Sequence, residues 1–130
     1  MRVALDTNAY SDFMRGVEER VRVVRAAARV YLPLFVLGEL RAGFAAGSQA
    51  GRNAAVLGQF LANRRVELLL PDAETTEHYA RLFAQLRRQG TAIPTNDLWI
   101  AALAALAVQH GLTLCTGDAH FRHLPQLSVC

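Results

Sequence analysis

Hydrophobic positions along the chain fall into two rhythms. Short apolar runs stand at Val3-Ala4-Leu5, Val30-Tyr31-Leu32, Val66 to Leu70 and Leu112 to Cys115, each stopped by Asp, Pro or a Thr-Gly turn. Such bounded runs read as buried strands. Between them, apolar residues recur every three or four positions, as on one face of a helix. The spacing predicts a short helix over Thr7–Met14, ending near Gly16. A second follows, with Val17, Val21, Val24 and Ala28 inward and Glu18 paired with Arg22 outside. Leu34–Ala46 is a third, closed by Gly47. A fourth runs roughly from Arg52 to Asn63, with Val56, Leu57, Phe60 and Leu61 inward. Asp72 is placed to cap a fifth, whose Tyr79, Leu82, Phe83 and Leu86 make one stripe before Gly90 stops it. Thr95 or Asn96 caps a very apolar sixth helix to about Gln109, ended by Gly111. Asp118 to His123 reads as a short helix and Leu127 to Val129 as a last strand.

Strands that alternate with helices argue for an α/β fold, a central parallel sheet with helices on both faces. The 130 residues suit one domain spanning 1–130 with one core. No repeat, linker or low-complexity segment interrupts it.

Composition changes this picture only at the margins. A hydrophobic content of 52% leaves some apolar surface for a subunit or partner. Charged residues at 19% exclude wholesale disorder. The net charge of +3 permits an anionic partner without requiring one. All 14 basic residues are Arg, whose planar fork suits phosphate, although a general Arg-for-Lys bias of the source genome gives the same count. Two cysteines, Cys115 and Cys130, do not make a secreted disulfide framework. Asp6 interrupts any signal-peptide core, and the longest apolar run, Leu98 to Val108, is too short to span a bilayer. A soluble cytoplasmic protein, with no membrane contact, is the expectation.

Four acids do not fit a solvated surface. Asp6 follows the first strand directly, and Asp118 follows the strand ending at Cys115. Open α/β sheets collect ligands at the carboxyl ends of strands. Two strands ending in Asp place both carboxylates on one edge if those strands are neighbours. Asp97 falls in the first turn of the most apolar helix, at the rim of the core. Glu39 lies in Phe35-Val36-Leu37-Gly38-Glu39-Leu40, and none of its helical neighbours, Phe35, Val36, Ala42 and Gly43, can pair with it. Each acid also has a plainer use. Asp6 and Asp118 can cap helices, Asp97 suits a helix macrodipole, and Glu39 can reach water at its helix edge. Taken together, four like charges in one pocket repel, and burial adds to the cost. A hard divalent cation resolves this, and Mg²⁺ or Mn²⁺ fits an all-carboxylate site. Such a site can activate water and steady a phosphoryl transition state.

In order and spacing, these pieces resemble the PIN domain family, specifically the VapC-type toxin ribonucleases of toxin–antitoxin pairs. The matching pieces are Asp6-Thr7-Asn8, Glu39-Leu40, Asp97-Leu98-Trp99-Ile100-Ala101-Ala102, and Thr116-Gly117-Asp118 followed by Phe121. No single piece is specific, but the ordered set covers nearly the whole chain. The resemblance implies a three-layer PIN-like fold and a Mg²⁺- or Mn²⁺-dependent endoribonuclease. It also implies a homodimer inhibited by a cognate antitoxin protein. By match, Asp6, Glu39, Asp97 and Asp118 carry metal binding and catalysis, with Thr7, Asn8 and Thr116 in support. Gln126 stands before Leu127 where the family often has Gly, a departure confined to a late turn. Arg15, Arg41 and Arg122, near site segments, are candidates for contacts to RNA phosphates.

Other readings compete. A phosphoryl-accepting aspartate enzyme also opens on an Asp after a strand. Its dehalogenase-like form wants a second Asp where Asn8 stands, and most such enzymes use a Lys, which this chain lacks. A zinc site from Cys115, His120 and His123 lacks a second ligand pair, and the two histidines read as surface residues. A PIN-like scaffold that binds RNA or protein without cleaving is the main alternative. An incomplete acid set would support it, and here the set is complete.

Overall fold

The computed structural model describes residues 1–130. Four parallel strands, β1 (Arg2–Leu5), β2 (Arg29–Pro33), β3 (Val66–Leu69) and β4 (Leu112–Cys115), form one sheet in the order β3-β2-β1-β4. Six helices flank it: α1 (Thr7–Met14), α2 (Glu18–Ala26), α3 (Leu34–Ala46), α4 (Ala50–Ala62), α5 (Ala73–Gln89) and α6 (Thr95–Ala107). The α/β expectation holds, with the first four strands and the six longer helices of the reading present in place. No helix is long and apolar enough to cross a membrane.

Strand burial follows strand position. In β1, Val3, Ala4 and Leu5 are all fully buried, with no alternation of inside and outside. A central parallel strand covered on both faces requires that. In β3, at the sheet edge, Glu67 is exposed and its three neighbours are only half-buried. At the other edge, β4 is partly covered by the end of the chain. Leu114 pairs with Val129 in a single parallel bridge, so the last predicted strand is reduced to one rung.

Several details depart from the reading. On α2 the buried residues are Val23 and Val24, joined by Ala27 just beyond it. Val17 is exposed at the N-cap, and Ala28 lies past the helix, because the chain turns extended at Ala27 to enter β2. The surface ion pair is Glu19–Arg22, one turn apart, and not Glu18–Arg22. On α4, Leu57 and Phe60 are buried while Val56 faces out. On α5 the stripe is Thr75, Tyr79, Leu82 and Leu86, and Phe83 is half-exposed on its flank. A residue next to Leu82 is turned about 100° away from it. Phe83 instead stacks on Tyr79, which stacks on Trp99, which stacks on Phe35. The N-cap of α6 is Pro94, so Thr95 and Asn96 are its first helical residues and Asp97 its third.

Candidate active site: four carboxylates and a histidine

The strand order decides the site. The chain leaves β1 toward β2 and β3 on one side and returns to β4 on the other. This reversal between β1 and β4 is where a parallel sheet opens a crevice at its carboxyl edge. Leu5 and Cys115 are directly paired across β1 and β4. The residues that follow, Asp6 and the Thr116-Gly117-Asp118 turn, therefore emerge side by side.

Asp6 is both a cap and a member of that crevice. Its Oδ1 accepts the Ala9 N–H at 2.8 Å, which starts α1. Its Oδ2 accepts the Thr116 hydroxyl. The same hydroxyl oxygen accepts the Asp118 N–H at 2.9 Å. Thr116, itself buried, thus ties the carboxylate after β1 to the backbone after β4. Asp118 caps the short 3₁₀ turn Ala119–His123 by accepting the His120 N–H at 2.9 Å. Asp97 enters from the first turn of α6, where the helix dipole favours an acid. Glu39 enters from α3. No residue of its own helix pairs with it, but Thr7 on α1 donates its hydroxyl to Oε1 at 2.8 Å.

One cleft is lined by Asp6, Thr7, Asn8, Glu39, Asp97, Asp118 and a single apolar residue, Ile100. All four acids singled out in the sequence meet there. Two of the supporting residues, Thr7 and Asn8, line it directly, and Thr116 braces it from beneath.

His120 was missed. Its Nδ1 lies 3.0 Å from Asp118 Oδ1 and 3.2 Å from Asp97 Oδ2, with the side chain 45% exposed. Donor atoms of Asp97, Asp118 and His120 all fall within 4.8 Å of one another, close enough to share one ion. The place of His120 depends on the five-residue 3₁₀ turn after Asp118, which apolar spacing does not report. Cys115 and His123 take no part in this cluster, so the zinc constellation of Cys115, His120 and His123 is not assembled.

The electrostatics are those of crowded acids. Burial pushes the Asp6 carboxyl above its ordinary range, with the Asp118 charge adding to it. The Thr116 and Ala9 hydrogen bonds and the Arg20 guanidinium oppose the rise. Burial also raises Asp97, followed by repulsion from Asp118 and then Glu39, while the His120 bond works against it. These groups disfavour one another's charge, and a divalent cation on oxygen and imidazole ligands would reverse that. The donor set fits a hard divalent ion.

The three candidate arginines are less concentrated. Arg15 sits at the far end of α1 from Asp6 and is paired with Asp12. Arg41 and Arg122 are exposed on α3 and on the 3₁₀ turn, and neither lines the cleft.

A model of the PIN domain matches residues 3–127. The chain belongs to the PIN domain family. Among curated relatives of this PIN domain is "Ribonuclease VapC4" of Mycobacterium tuberculosis, 36% identical over 93 residues, covering 72% of this chain and 69% of that protein. "Ribonuclease VapC1" of Haemophilus influenzae is 31% identical, covering 83% of this chain and 85% of that one. Among solved structures, this PIN domain is similar to VapBC2 of Rickettsia felis, bound to a DNA fragment from its promoter. The TM-score there is 0.85 at 26% identity, over 100% of this chain and 98% of that one. DNA-bound VapBC from Salmonella typhimurium gives 0.83 at 27% identity, over 100% and 97%.

Proposed function

We propose that this protein is a metal-dependent endoribonuclease, the toxin of a toxin–antitoxin pair. The observation that carries the chemistry is the meeting of Asp6, Glu39, Asp97 and Asp118 in one cleft at the carboxyl edge of the sheet. The relatives named as VapC ribonucleases, matched over most of their length, support RNA as the substrate. The solved complexes named VapBC toxin–antitoxin support a cognate antitoxin as partner.

Asp6, Asp97 and Asp118 would hold Mg²⁺ or Mn²⁺, with His120 beside the last two. The ion, when bound, lowers the pKa of a water and offsets charge on the phosphoryl group. Thr116 fixes the rotamer of Asp6 and the backbone of Asp118, so both acids are oriented before the ion arrives. Glu39, held by Thr7 and half-buried, faces the cleft from α3. It is placed to receive a proton from the attacking water or to hold a second ion. Asn8, exposed at the lip, can hydrogen-bond the RNA strand. Arg41 and Arg122 are the free candidates for phosphate contacts outside the cleft, and Arg15 would have to leave Asp12 to serve. Homodimer formation is part of the same proposal.

The non-catalytic scaffold is the weaker reading, because a scaffold has no use for four mutually repelling acids in one cleft. A cleavage assay on single-stranded RNA with Mn²⁺, repeated with chelator and with Asp97→Asn, separates the two. The enzyme requires cleavage only in wild type with metal. RNA binding without cleavage in every arm would establish the scaffold.

A further inference from the structure

Two thiols stand where the last segment of the site is anchored. Cys115, the final residue of β4, is buried, and Cys130 is exposed. The residues after Leu127 return alongside β4. The Leu114 N–H donates to Ser128 O at 2.8 Å, the Cys130 N–H to Leu114 O at 2.9 Å, and the Thr116 N–H to Cys130 O at 3.1 Å. The Thr113 and Ser128 hydroxyls bond at 3.0 Å. This parallel register sets Cys115 beside Cys130, with both thiols free and their Sγ atoms in contact at 2.6 Å. The two thiols thus face each other across one hydrogen-bonded rung.

The segment between them, residues 116–129, contains Thr116, Asp118 and His120. Its regular structure is one 3₁₀ turn and one bridge. Such a segment opens at lower free energy than the sheet it leaves. We infer that Cys115 and Cys130 form a reversible disulfide that staples the site-bearing segment to β4.

The exchange balances with a small-molecule disulfide such as oxidised glutathione. Cys130, the exposed thiol, attacks one glutathione sulfur as thiolate and expels the other glutathione as a thiol. Cys115 then gives up its proton and attacks the Cys130 sulfur, expelling the second glutathione. Two electrons pass from the two cysteines to the oxidant, and two glutathione thiols leave. The Cys130 thiol is drawn down to about 7, first by the hydrogen bond from Cys115 and further by the Arg20 charge, against the effect of its burial. That suits it to the first attack.

The test uses the full chain in chelator, so that metal plays no part, with oxidised glutathione in one arm and a phosphine reductant in the other. Free thiols in denaturant, intact mass and Tm are read in both. Both thiols are expected to disappear together, the single chain losing two hydrogens and keeping no glutathione. Closing a loop of this length is expected to raise Tm by on the order of 10 °C, and the reductant should restore the original value. Cys130→Ser should leave Cys115 unreactive and abolish the shift. Stable retention of one glutathione on Cys130, a crosslink between two chains, or two thiols left intact would overturn the pairing. A complete intrachain crosslink with unchanged Tm would overturn the staple.

Discussion

Asp6 and Asp72 obey the same local rule and end in different chemistry. Each follows a parallel strand, and each caps the next helix by accepting the N–H of the third helical residue. Asp6 takes Ala9 at 2.8 Å and Asp72 takes Thr75 at 3.0 Å. Asp72 is the better cap of the two, since the Thr75 hydroxyl accepts its N–H in return at 3.0 Å and completes a capping box. Yet Asp72 is exposed, whereas Asp6 is 5% exposed and faces the cleft. The difference lies in strand order. β1 is central and adjacent to β4, so Asp6 meets Thr116 and Asp118. β3 is the edge strand beyond β2, so Asp72 ends away from the Asp6, Glu39, Asp97 and Asp118 cleft, with only Glu74 of its own helix as a nearby acid. Capping puts an acid at a strand end, and topology decides whether it meets other acids.

The largest break in the symmetry should come from swapping each Asp for Asn. Asn is also a favoured N-cap, so both helices should still start in place. Asp6→Asn removes the charge of a proposed ligand and should lower RNA cleavage by more than about a hundredfold, above what loss of a ligand's supporting partner costs. Asp72→Asn should leave cleavage unchanged. Circular dichroism confirms the fold in each, and initial rates with Mn²⁺ supply the comparison. Equal losses in the two variants would mean that Asp6 acts only as a cap.

A middle-sized effect should come from Thr116→Val, which keeps the shape and removes the hydroxyl that joins β1's acid to β4's turn. Without it, Asp6 Oδ2 and the Asp118 N–H each lose a partner. Cleavage should fall roughly 10–100-fold, and Mn²⁺ affinity should weaken in parallel. Mn²⁺ titration by calorimetry checks the second part. Unchanged affinity with a lowered melting point would make Thr116 a packing residue only.

The contrast between the two caps also explains what was legible in the sequence. Strand ends, helix faces and the four acids could be read from apolar period and from charges in apolar company. Asp6 and Asp118 could be placed on one edge only on condition that their strands were neighbours, and pairing of Leu5 with Cys115 meets it. His120 was hidden because its role depends on a turn of five residues folding its ring back between Asp118 and Asp97, which no period reports. Glu39 looked unpartnered because its partner, Thr7, lies 32 residues away on another helix. Val56 and Phe83 were misplaced because period alone does not say how far round a helix the core reaches.

The smallest effect is the sharpest test of a shared pocket. Asp6 and Asp97 are both pushed above the ordinary carboxylate value, burial being the first cause in each. In metal-free protein the folded state therefore holds more protons than the unfolded one between the ordinary value of 3.8 and the raised folded value. Their stability contribution is fully present below that window and is lost as pH rises through it. Asp72, wet and capped, has no part in this. Neutralising Asp97 removes one of the crowded charges. In chelator at pH 8, Asp97→Asn should melt a few degrees above wild type, roughly the shift that 1 kcal/mol makes in a domain near this size. The gap should close at a pH below the window, where the wild-type acid is protonated as well. Metal inverts the order, because it favours the ionised carboxylate. Wild type should gain about 2.7 kcal/mol at a hundredfold excess of Mn²⁺ over its dissociation constant, and Asp97→Asn should gain less. Thermal melts of both proteins, with chelator or Mn²⁺ at both pH values, read all of these differences. A variant that melts lower than wild type in chelator at pH 8, with the Mn²⁺ gain intact, would reduce Asp97 to an acid placed for the α6 dipole.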